Sequence, residues 1–353
     1  MSRLLYMSEW DAGERVRHRL RVAEVIVETA DAVSLVFELT PQQRERFAYR
    51  PGQFLTLRLP TSEGPVARCY SLASSPHTDP LPKVTVKRID GGVGSNWICD
   101  NVRRGVELDV LEPSGIFTPG SLDGDLLLIA AGSGVTPIMS IAKSVLTAGT
   151  GNLVLCYANR DEDAMIFRDE LRGMAGVHPE RLTLLHWLES QQGMPTPEGL
   201  AELLRGRLFG EAFICGPKPF MDIVRAVLRD LGLPRSHVHL ERFNSLGGDP
   251  FEDTVPAEQT ESDTTASLVV EMDGARHSLA WPSKTLLLDV LAANGLNAPT
   301  SCGEGVCASC ECRVVEGEVR MVNNQVLDEE DIADGYALAC QALPVTETVH
   351  VTF

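Results

Sequence analysis

Four cysteines near the C-terminus have a spacing that suits a metal cluster. Cys302, Cys307 and Cys310 follow one another as C-x4-C-x2-C in the stretch SCGEGVCASCEC, and Cys340 comes later, in LACQ. This is the spacing with which thiolates ligate a [2Fe–2S] cluster, three from one loop and the fourth from elsewhere in the fold. Glycines between the ligands leave backbone N–H groups free to point at the sulfurs. The pattern therefore predicts a [2Fe–2S] cluster bound by these four cysteines.

The same cysteines allow two other interpretations. They could be buried or disulfide-bonded residues, although chance would seldom produce this spacing with glycines between the ligands. A zinc site usually shows two C-x2-C pairs, whereas Cys307 and Cys310 form the only such pair in the sequence, and Cys310 and Cys312 form C-x-C. A one-electron cluster also needs an electron donor and an electron acceptor, so the other residues should contain at least one of these sites.

Length and composition limit the class of protein. The 353 residues suit two or three domains, and 44% of them are hydrophobic, which is enough for several cores. No apolar run approaches the roughly 18 residues that span a bilayer, and the N-terminal stretch lacks the apolar core of a signal peptide. The cysteines outside the cluster set show no disulfide framework, as in a reducing compartment. We therefore expect a cytoplasmic protein with no membrane span.

Negative charge is concentrated near the C-terminus. The stretch from Glu252 to Phe353 contains 18 acidic residues against four basic ones, which accounts for −14 of the formal net charge of −18. This balance argues against a nucleic-acid-binding protein, whose contact surface is basic. The acidic end could serve solubility, or it could be a docking face for a basic partner, and composition does not separate these two interpretations.

The first part of the chain has the pattern of short β-strands. Six segments rich in Val and Ile are separated by turns that contain Gly and Pro, which predicts a small antiparallel β-barrel. The predicted strands are residues 21–29, 33–39, 55–59, 66–71, 83–88 and 106–111.

After residue 119 the pattern changes to alternating strands and helices. Such alternation predicts a doubly wound parallel sheet, and a continuous apolar strand such as 125–131 indicates burial on both faces. The predicted strands are 125–131, 152–157, 182–188, 212–215 and 238–243, and the predicted helices are 136–147, 166–174, 197–204 and 219–231.

A third domain is predicted at the C-terminus, after a polar segment without periodicity. It would contain a hairpin at 268–272 and 276–280, a helix at 286–294, the cysteine loop, and strands at 312–316 and 350–353. The resulting organisation is a tail at 1–17, a β-barrel at 18–121, a nucleotide-binding domain at 122–245, a linker at 246–266 and a cluster domain at 267–353.

Two motifs in the barrel have the chemistry of a flavin site. In the R-C-Y-S stretch at 68–71, the arginine could neutralise a phosphate, the tyrosine could lie on an aromatic ring, and the serine could hydrogen-bond to a ring edge. The glycine-rich turn G-G-V-G-S-N at 91–96 can offer backbone N–H groups to a pyrophosphate. An ordinary strand with an exposed arginine and a plain hairpin end are the alternatives.

Two further motifs lie at strand ends of the predicted parallel sheet. The stretch A-G-S-G-V-T-P at 131–137 joins a buried strand to a helix, where glycines permit close approach of a phosphate to the helix N-terminus. Cys215 and the following Gly216 and Pro217 end the fourth strand, at the sheet edge where ligands bind. We expect Cys215 to contact a reacting nicotinamide, and the alternative is a small buried residue.

Together these motifs resemble the ferredoxin–NADP⁺ reductase superfamily. R-x-Y-S, G-x-x-S, G-S-G-V-T-P and C-G-P occur in that order. A barrel, a nucleotide domain and a C-terminal plant-type ferredoxin domain resemble its oxygenase-reductase branch, which implies an α+β β-grasp fold for the third domain. Longer peptides at 68–79, 95–102, 157–161, 186–190 and 249–251 are similar to the reductase components of bacterial 3-ketosteroid 9α-hydroxylases.

The resemblance implies roles for individual residues. The implied FAD-binding residues are Arg68, Cys69, Tyr70, Ser71, Val86, Lys87, Gly92, Gly94, Ser95 and Asn96. The implied nucleotide-binding residues are Gly132, Ser133, Gly134, Thr136, Pro137, Asn159, Arg160, Gly216 and Pro217. The residues expected to act at the reacting rings are Ser71, Cys215, Glu241 and Phe243. Phe243 would shield the flavin ring, or it could be a core residue.

Electron counting gives the order of the cofactors. A reduced nicotinamide nucleotide gives up a hydride, which carries two electrons, whereas the cluster accepts one, so FAD must stand between them. The acids Asp161, Glu162 and Asp163 favour NADH over NADPH because they would repel a 2′-phosphate, although Arg160 beside them could pair with it.

We therefore expect a reductase that passes electrons from NADH to FAD, to the [2Fe–2S] cluster and on to a separate terminal oxygenase. The resemblance implies a Rieske-type 3-ketosteroid 9α-hydroxylase. One alternative is the reductase of a di-iron monooxygenase such as a phenylacetyl-CoA epoxidase. An alternative of another class is a redox sensor that uses its cluster as a switch.

Overall fold

A computed structural model of the chain describes residues 17–207, 210–251, 265–272, 274–300 and 302–353. The chain divides into two units, one of which runs from Arg17 to Asp249 and the other of which contains Pro250 to Phe353. The tail predicted at 1–17 lies outside the described residues except for Arg17. In the described part of the chain, no helix has both the length and the apolar character needed to cross a membrane.

The first part of the Arg17–Asp249 unit is a six-stranded antiparallel sheet, and it confirms the six predicted strands. Its elements are β1 His18–Thr29, β2 Ala32–Glu38, α1 Pro41–Arg46, β3 Phe54–Thr61, β4 Gly64–Ser71, β5 Lys83–Lys87, α2 Val93–Asn101 and β6 Glu107–Val110. The strand order is β4-β3-β6-β1-β2-β5. Buried leucines and valines of these strands, including Leu55, Leu57 and Leu59 of β3, form one core.

Helix α1 is an addition to the predicted elements. The Thr40 hydroxyl accepts the N–H of Gln43 at 3.3 Å, and the Gln43 side chain accepts the N–H of Thr40 at 2.9 Å. This reciprocal capping box, followed by a proline at the first helical position, explains why a helix starts here.

The second part of this unit is the predicted parallel sheet. Its elements are β7 Leu126–Ala131, α3 Val135–Ala148, β8 Leu153–Asn159, α4 Arg168–Val177, β9 Leu182–Leu188, α5 Glu189–Gln192, α6 Pro197–Leu204, β10 Glu211–Cys215, α7 Lys218–Asp230 and β11 Val238–Glu241. All neighbours in the order β11-β10-β7-β8-β9 are parallel. Leu128 and Ala130 of β7 belong to one core, and Leu127 and Ile129 to another, because helices cover both faces. The last strand ends at Glu241 rather than at 243.

The second unit is an α+β domain with a mixed sheet. Its elements are β12 Thr265–Met272, β13 Ala275–Pro282, α8 Leu287–Ala293, β14 Glu311–Glu316, β15 Val319–Met321, α9 Glu329–Ala333, β16 Tyr336–Leu338, β17 Ala342–Pro344 and β18 Thr348–Thr352. The main sheet has the order β13-β12-β18-β14-β16, and only β12 and β18 pair in parallel. The predicted hairpin is confirmed as β12 and β13. The short elements β15, β16, β17 and α9 were absent from the prediction.

The segment predicted as a linker, 246–266, begins against the first unit. Leu246 is buried, and Asp249 pairs with Arg58 of β3 at 2.7 Å. Residues 252–264 lie outside the description, and β12 begins at Thr265, inside the predicted linker.

Candidate functional site

Strand β4 carries Arg68 and Tyr70 directly against the glycine-rich turn that begins α2. A Cβ placed on Gly94 would lie 2.9 Å from Cγ of Arg68 and 3.4 Å from the hydroxyl of Tyr70. Burial raises the pKa of the Tyr70 phenol well above its ordinary value, so the hydroxyl stays protonated and can donate a hydrogen bond. The fold therefore joins two motifs that are separate in the sequence, and a side chain at position 94 would push them apart.

Ser71, at the end of β4, has a buried hydroxyl without a partner. The residue is 3% exposed, and its Oγ makes no hydrogen bond with any described residue. Leaving such a group unpaired costs about 1–3 kcal/mol, so a buried hydroxyl of this kind suits a bound ligand that completes its hydrogen bonding. The edge of a flavin ring carries the nitrogen and oxygen atoms that would do so.

The turn before α2 is held by side chains from the first turn of that helix. The Ser95 hydroxyl accepts the N–H of Ile89 at 3.2 Å, and the Asn96 side-chain amide donates to the Ile89 carbonyl at 3.2 Å. Gly92 is the N-cap residue and offers no side chain to the first N–H groups of the helix. Those N–H groups can therefore serve an anion, while Ser95 and Asn96 shape the loop that presents them.

The remaining predicted flavin residues lie nearby with different exposures. Val86 is buried in the barrel core, so only its backbone can face a ligand. The Cys69 sulfur lies 3.5 Å from the Thr56 hydroxyl. Lys87 pairs with Asp31 at 3.6 Å.

A tight turn, residues 132–134, joins β7 to α3 and meets the end of β10. Gly134 has no room for a side chain, because a Cβ there would lie 2.1 Å from the carbonyl oxygen of Cys215. The hydroxyl of Thr136 donates to the carbonyl of Ser133 at 3.1 Å, and that of Tyr157 donates to the carbonyl of Gly132 at 3.0 Å. The turn is thus fixed from both sides at the N-terminus of a 14-residue helix.

Several predicted nucleotide residues surround this turn at the carboxyl edge of the sheet. Pro137 is buried in the first turn of α3, and Asn159, at the end of β8, is 4% exposed. Gly216 lies against Ala131, since a Cβ on Gly216 would be 2.9 Å from that of Ala131, and Pro217 is the N-cap residue of α7. The structure brings these residues to one edge, as the sequence predicted.

Arg160, just beyond β8, reaches the barrel. It pairs with Asp31 at 3.6 Å, the same carboxylate oxygen that Lys87 approaches, and its side chain is 67% exposed. Asp31 was not among the predicted site residues, and no local pattern marks it. The carbonyl of Arg160 also accepts the N–H of Ser190, which ties the ends of β8 and β9 together at 2.8 Å.

Cys215 and Glu241 are opposite each other on β10 and β11. Cys215 is fully buried, and burial, together with the charge that Glu241 carries once it is ionised at high pH, raises the pKa of its thiol well above the ordinary range. Burial raises the pKa of Glu241 to about 8, so this carboxyl is mostly protonated at neutral pH. Phe243 is 48% exposed, so it is not a core residue.

The cysteine loop of the second unit gathers the four predicted ligands. The Cys302 sulfur interacts with those of Cys307 and Cys340, and the Cys310 sulfur interacts with that of Cys340. Hydrogen bonds from the thiols of Cys307 and Cys340 and from backbone N–H groups lower the pKa of Cys302, which favours its thiolate. No single point among the described residues is surrounded by three or more metal-ligating side chains. A two-iron cluster shares its four ligands between two metal ions, and the converging sulfurs suit it.

Backbone and amide groups hold this loop in shape. The N–H of Glu304 donates to the Cys302 sulfur at 3.3 Å, and the N–H of Cys340 donates to that of Cys310 at 3.5 Å. The Gln341 amide donates to the carbonyls of Gly303 at 2.8 Å and Cys340 at 2.7 Å, which fastens the loop to the fourth ligand. Gln341 was not a predicted site residue, and its position next to Cys340 is the only signal for it in the sequence.

Comparison with known proteins gives three domain matches and a set of full-length relatives. Residues 19–118 match an oxidoreductase FAD-binding domain, 128–226 an oxidoreductase NAD-binding domain, and 270–345 a 2Fe-2S iron-sulfur cluster binding domain. The chain is 55% identical to the "3-ketosteroid-9-alpha-monooxygenase, ferredoxin reductase component" of Rhodococcus rhodochrous, over 95% of this chain and 96% of the relative. The chain belongs to this family of ferredoxin reductase components.

More distant relatives agree with the fold. A component of the 1,2-phenylacetyl-CoA epoxidase of Escherichia coli is 36% identical over 95% of this chain and 97% of that protein. The solved structure of phthalate dioxygenase reductase, described as modular, covers 96% of this chain and 98% of its own, with a TM-score of 0.57 and 22% identity. The predicted architecture of antiparallel flavin domain, parallel nucleotide domain and C-terminal ferredoxin domain is confirmed.

As a member of the ferredoxin reductase family, the chain is an oxidoreductase that serves a separate oxygenase component. The domain matches support FAD, a nicotinamide nucleotide and a [2Fe–2S] cluster as its cofactors. They also argue against the zinc, disulfide and redox-sensor interpretations of the cysteines.

Proposed function

We propose that this chain passes electrons from NADH, through FAD and a [2Fe–2S] cluster, to the Rieske-type terminal oxygenase of a 3-ketosteroid 9α-hydroxylase. The observation that carries the proposal is the 55% identity, over nearly the whole chain, to a reductase component of that name. Service to a phenylacetyl-CoA epoxidase, whose component is 36% identical to this chain, is the second candidate.

The barrel residues suit the flavin. Ser71 would hydrogen-bond to the ring edge, because its hydroxyl is buried and unpaired among the described residues. Tyr70 would lie on the ring, and Arg68 would neutralise the pyrophosphate beside the N-terminus of α2. Lys87, Val86 and Cys69 complete the wall of this site.

The edge of the parallel sheet suits the nucleotide. The turn at 132–134 would receive the pyrophosphate at the N-terminus of α3, because the glycines leave the backbone accessible. Asn159 and Arg160 extend the site along β8, and Cys215, Gly216 and Pro217 border the nicotinamide. Glu241, a mostly neutral carboxyl at pH 7, avoids placing a full charge beside the reacting ring.

FAD supplies the conversion of one two-electron hydride into two single electrons. The residues of this chain bind and orient the reactants and exclude water. Phe243, exposed at the end of the nucleotide domain, would cover the flavin ring where the nicotinamide is absent. Cys302, Cys307, Cys310 and Cys340 would ligate the cluster, with Gln341 fixing the loop.

Each proposed cofactor site falls in its own domain, and the cysteines bear on the proposed cellular location. We assign the flavin site to 18–121, the nucleotide site to 122–245 and the cluster to 267–353, in line with the three domain matches. None of the nine cysteines, all of which lie within the described residues, forms a disulfide, which suits a reducing cytoplasm.

Reconstitution with a purified oxygenase tests the proposal. The chain, NADH and a Rieske-type 3-ketosteroid 9α-hydroxylase oxygenase are expected to hydroxylate a 3-ketosteroid at least tenfold faster than the chain supports a phenylacetyl-CoA epoxidase with its own substrate. A Cys310→Ser chain is the control, because it should still accept electrons from NADH without passing them on. Faster support of the epoxidase would reverse the order of the two candidates.

A further inference from the structure

The loop that follows β4 is bonded to one face of α3. The Ser140 hydroxyl donates to the carbonyl of Ser74 at 2.6 Å, and the hydroxyls of Ser75 and Ser144 are 2.8 Å apart. Lys143, on the same helix face, pairs with Asp79 of the loop at 2.7 Å. We call these six residues, Ser74, Ser75, Asp79, Ser140, Lys143 and Ser144, the interdomain clamp.

Lys143 is the charged centre of the interdomain clamp. Its side chain is only 11% exposed, and its ammonium group also pairs with Glu170 of α4 at 2.8 Å. Burial alone lowers the pKa of Lys143, but its bonds to Asp79 and Glu170 outweigh burial and raise that pKa. Glu170 meets Lys83 of β5 at 3.5 Å. Cations and carboxylates thus alternate across the boundary between the barrel and the parallel sheet.

The loop is also fixed on its barrel side. The hydroxyls of Tyr49 and Ser74 are 2.6 Å apart, and Ser74 accepts the N–H of Lys83 at 2.9 Å. Asp79 accepts the N–H of Ser75 at 2.6 Å, so the same carboxylate that holds Lys143 also closes the loop. A loop braced in this way can transmit the position of α3 to the strands of the barrel.

Both halves of the interdomain clamp continue directly into candidate binding elements. The loop begins just after Ser71, whose buried hydroxyl has no partner among the described residues and would meet the flavin in the proposed site. Helix α3 begins just after the glycine turn, and Lys143 lies about 12 Å along it from Val135. The clamp therefore links the part of the chain that would hold the flavin to the part that would hold the nucleotide.

We infer that Lys143 is a positioning residue that, through Asp79, sets the distance between the bound nicotinamide and the flavin. The inference rests on the proposed function. Hydride transfer requires reacting atoms roughly 3–3.5 Å apart, and a displacement of about 1 Å can lower the rate about 100-fold. Loss of one contact of the clamp should therefore slow flavin reduction more than it weakens nucleotide binding.

Rapid-mixing kinetics of the FAD-loaded, cluster-loaded chain test this inference. In Asp79→Asn and Lys143→Met, the limiting rate of flavin reduction by NADH is expected to fall at least fivefold, while the apparent Kd for NADH changes less than twofold. Lys143→Arg keeps the charge and should stay within twofold of the wild-type rate. The matched controls are Asp169→Asn, which changes an exposed carboxylate next to Glu170, and Arg205→Met, which breaks an exposed pair with Glu202 at the C-terminal end of α6.

Amide hydrogen exchange gives a readout that does not depend on activity. In both clamp variants, the backbone N–H groups of residues 74–79 should exchange at least threefold faster, because the ion pair between positions 79 and 143 that holds the loop on α3 is lost. Neither control should change this exchange. Asp79→Asn is the milder variant, so its limiting rate and amide exchange decide the question if Lys143→Met folds poorly.

Three outcomes would overturn the inference. They are a limiting rate within twofold of wild type in both clamp variants, a rise in Kd without a fall in limiting rate, and unchanged exchange in residues 74–79. Failure of the wild-type chain itself to be reduced by NADH would instead overturn the proposed function, and this inference with it.

Discussion

The Cα of Gly134 faces the carbonyl of Cys215 so closely that a Cβ would lie 2.1 Å from that oxygen. Because the contact is with backbone on a central strand, no side-chain rotation can relieve it. The turn that is proposed to hold the pyrophosphate is thus packed directly on the strand end that is proposed to border the nicotinamide.

Gly134→Ala should therefore weaken both the fold and nucleotide binding. We expect a loss of about 1–3 kcal/mol in the free energy of unfolding, as for other overpacked sites, and at least a tenfold rise in the Kd for NADH. Denaturant unfolding and equilibrium titration measure the two effects.

Gly173→Ala is the matched control for this glycine. Gly173 lies inside α4, and a Cβ there would have no neighbour within 4 Å in the described part of the chain. This change should stabilise the chain by up to about 1 kcal/mol and leave NADH binding unchanged, since alanine is the better helix former. Equal effects of the two substitutions would contradict the packing argument.

The cluster and the flavin should be separable by mutation. Cys310→Ala is expected to abolish iron binding and leave FAD bound, because Cys310 belongs to the second unit and the proposed flavin residues belong to the first. Iron analysis and the visible spectrum measure the two contents.

Cys312→Ala is the control for the cluster variant. Cys312 is 3% exposed and is not a proposed ligand. The Cys312→Ala chain should keep both cofactors and lose roughly 1 kcal/mol of stability, through the lost packing of one small side chain. Loss of iron and flavin together in Cys310→Ala would count against separate sites.

The sequence predicts best those parts of the site whose residues lie close together along the chain. Cys302, Cys307, Cys310 and the glycine turn at 132–134 can be recognised within short windows, and strand β7 is marked by a continuous apolar run. Helices α1 and α9 were missed although their caps are readable, since Thr40 precedes Gln43 by three residues and Asp328 precedes Asp331 likewise.

Other features depend on contacts between distant residues. Asp31 meets Arg160, and Asp79 meets Lys143, only because the fold brings two domains together. Strands β15 and β17 have three residues each, too few to show periodicity, and they are defined by pairing with each other. No window of sequence contains the information that specifies these pairs.

Glu241 should make stability depend on pH. Burial raises its pKa from 4.5 to about 8, so between these values the native chain holds a proton that the unfolded chain releases. Stability therefore falls as pH rises through this window, by at most about 1.4 kcal/mol per pH unit from this group. Glu241→Gln should flatten the decline in urea midpoints between pH 5.5 and 8. Parallel curves for wild type and variant would show that Glu241 does not cause it.

The chain should prefer NADH to NADPH. A 2′-phosphate adds roughly two negative charges, and Asp161, Glu162 and Asp163 follow β8, where they would repel it. Arg160, which could attract it, is already paired with Asp31. We expect kcat/KM to be at least tenfold higher for NADH, and a higher value for NADPH would refute the preference.

Asp31→Asn tests the part of this argument that involves Arg160. Without the Asp31 charge, Arg160 is free to meet a 2′-phosphate, so kcat/KM for NADPH should rise severalfold. Asp230→Asn, an exposed carboxylate at the end of α7, should leave both values unchanged. An unchanged NADPH value in Asp31→Asn would mean that the pair with Asp31 does not influence nucleotide choice.

The acidic second unit should be the docking surface for the oxygenase. Charge steering weakens with salt, because the Debye length falls from about 10 Å at 0.1 M to about 3 Å at 1 M. Electron transfer to the oxygenase should therefore slow as salt rises, while flavin reduction by NADH, at a separate site, changes much less. Stopped-flow measurements of the two steps distinguish them.

Charge reversal near the cluster locates this docking surface. Glu304→Lys and Glu311→Lys, both half-exposed beside the cysteine loop, should slow electron transfer to the oxygenase and spare flavin reduction. Glu316→Lys makes the same charge change at the far end of β14, about 17 Å from Glu311, and should have a smaller effect. If partner reduction is insensitive to salt and to both reversals, the acidic residues serve solubility, and docking must rest on apolar contacts near Ala308, since Val306 is buried.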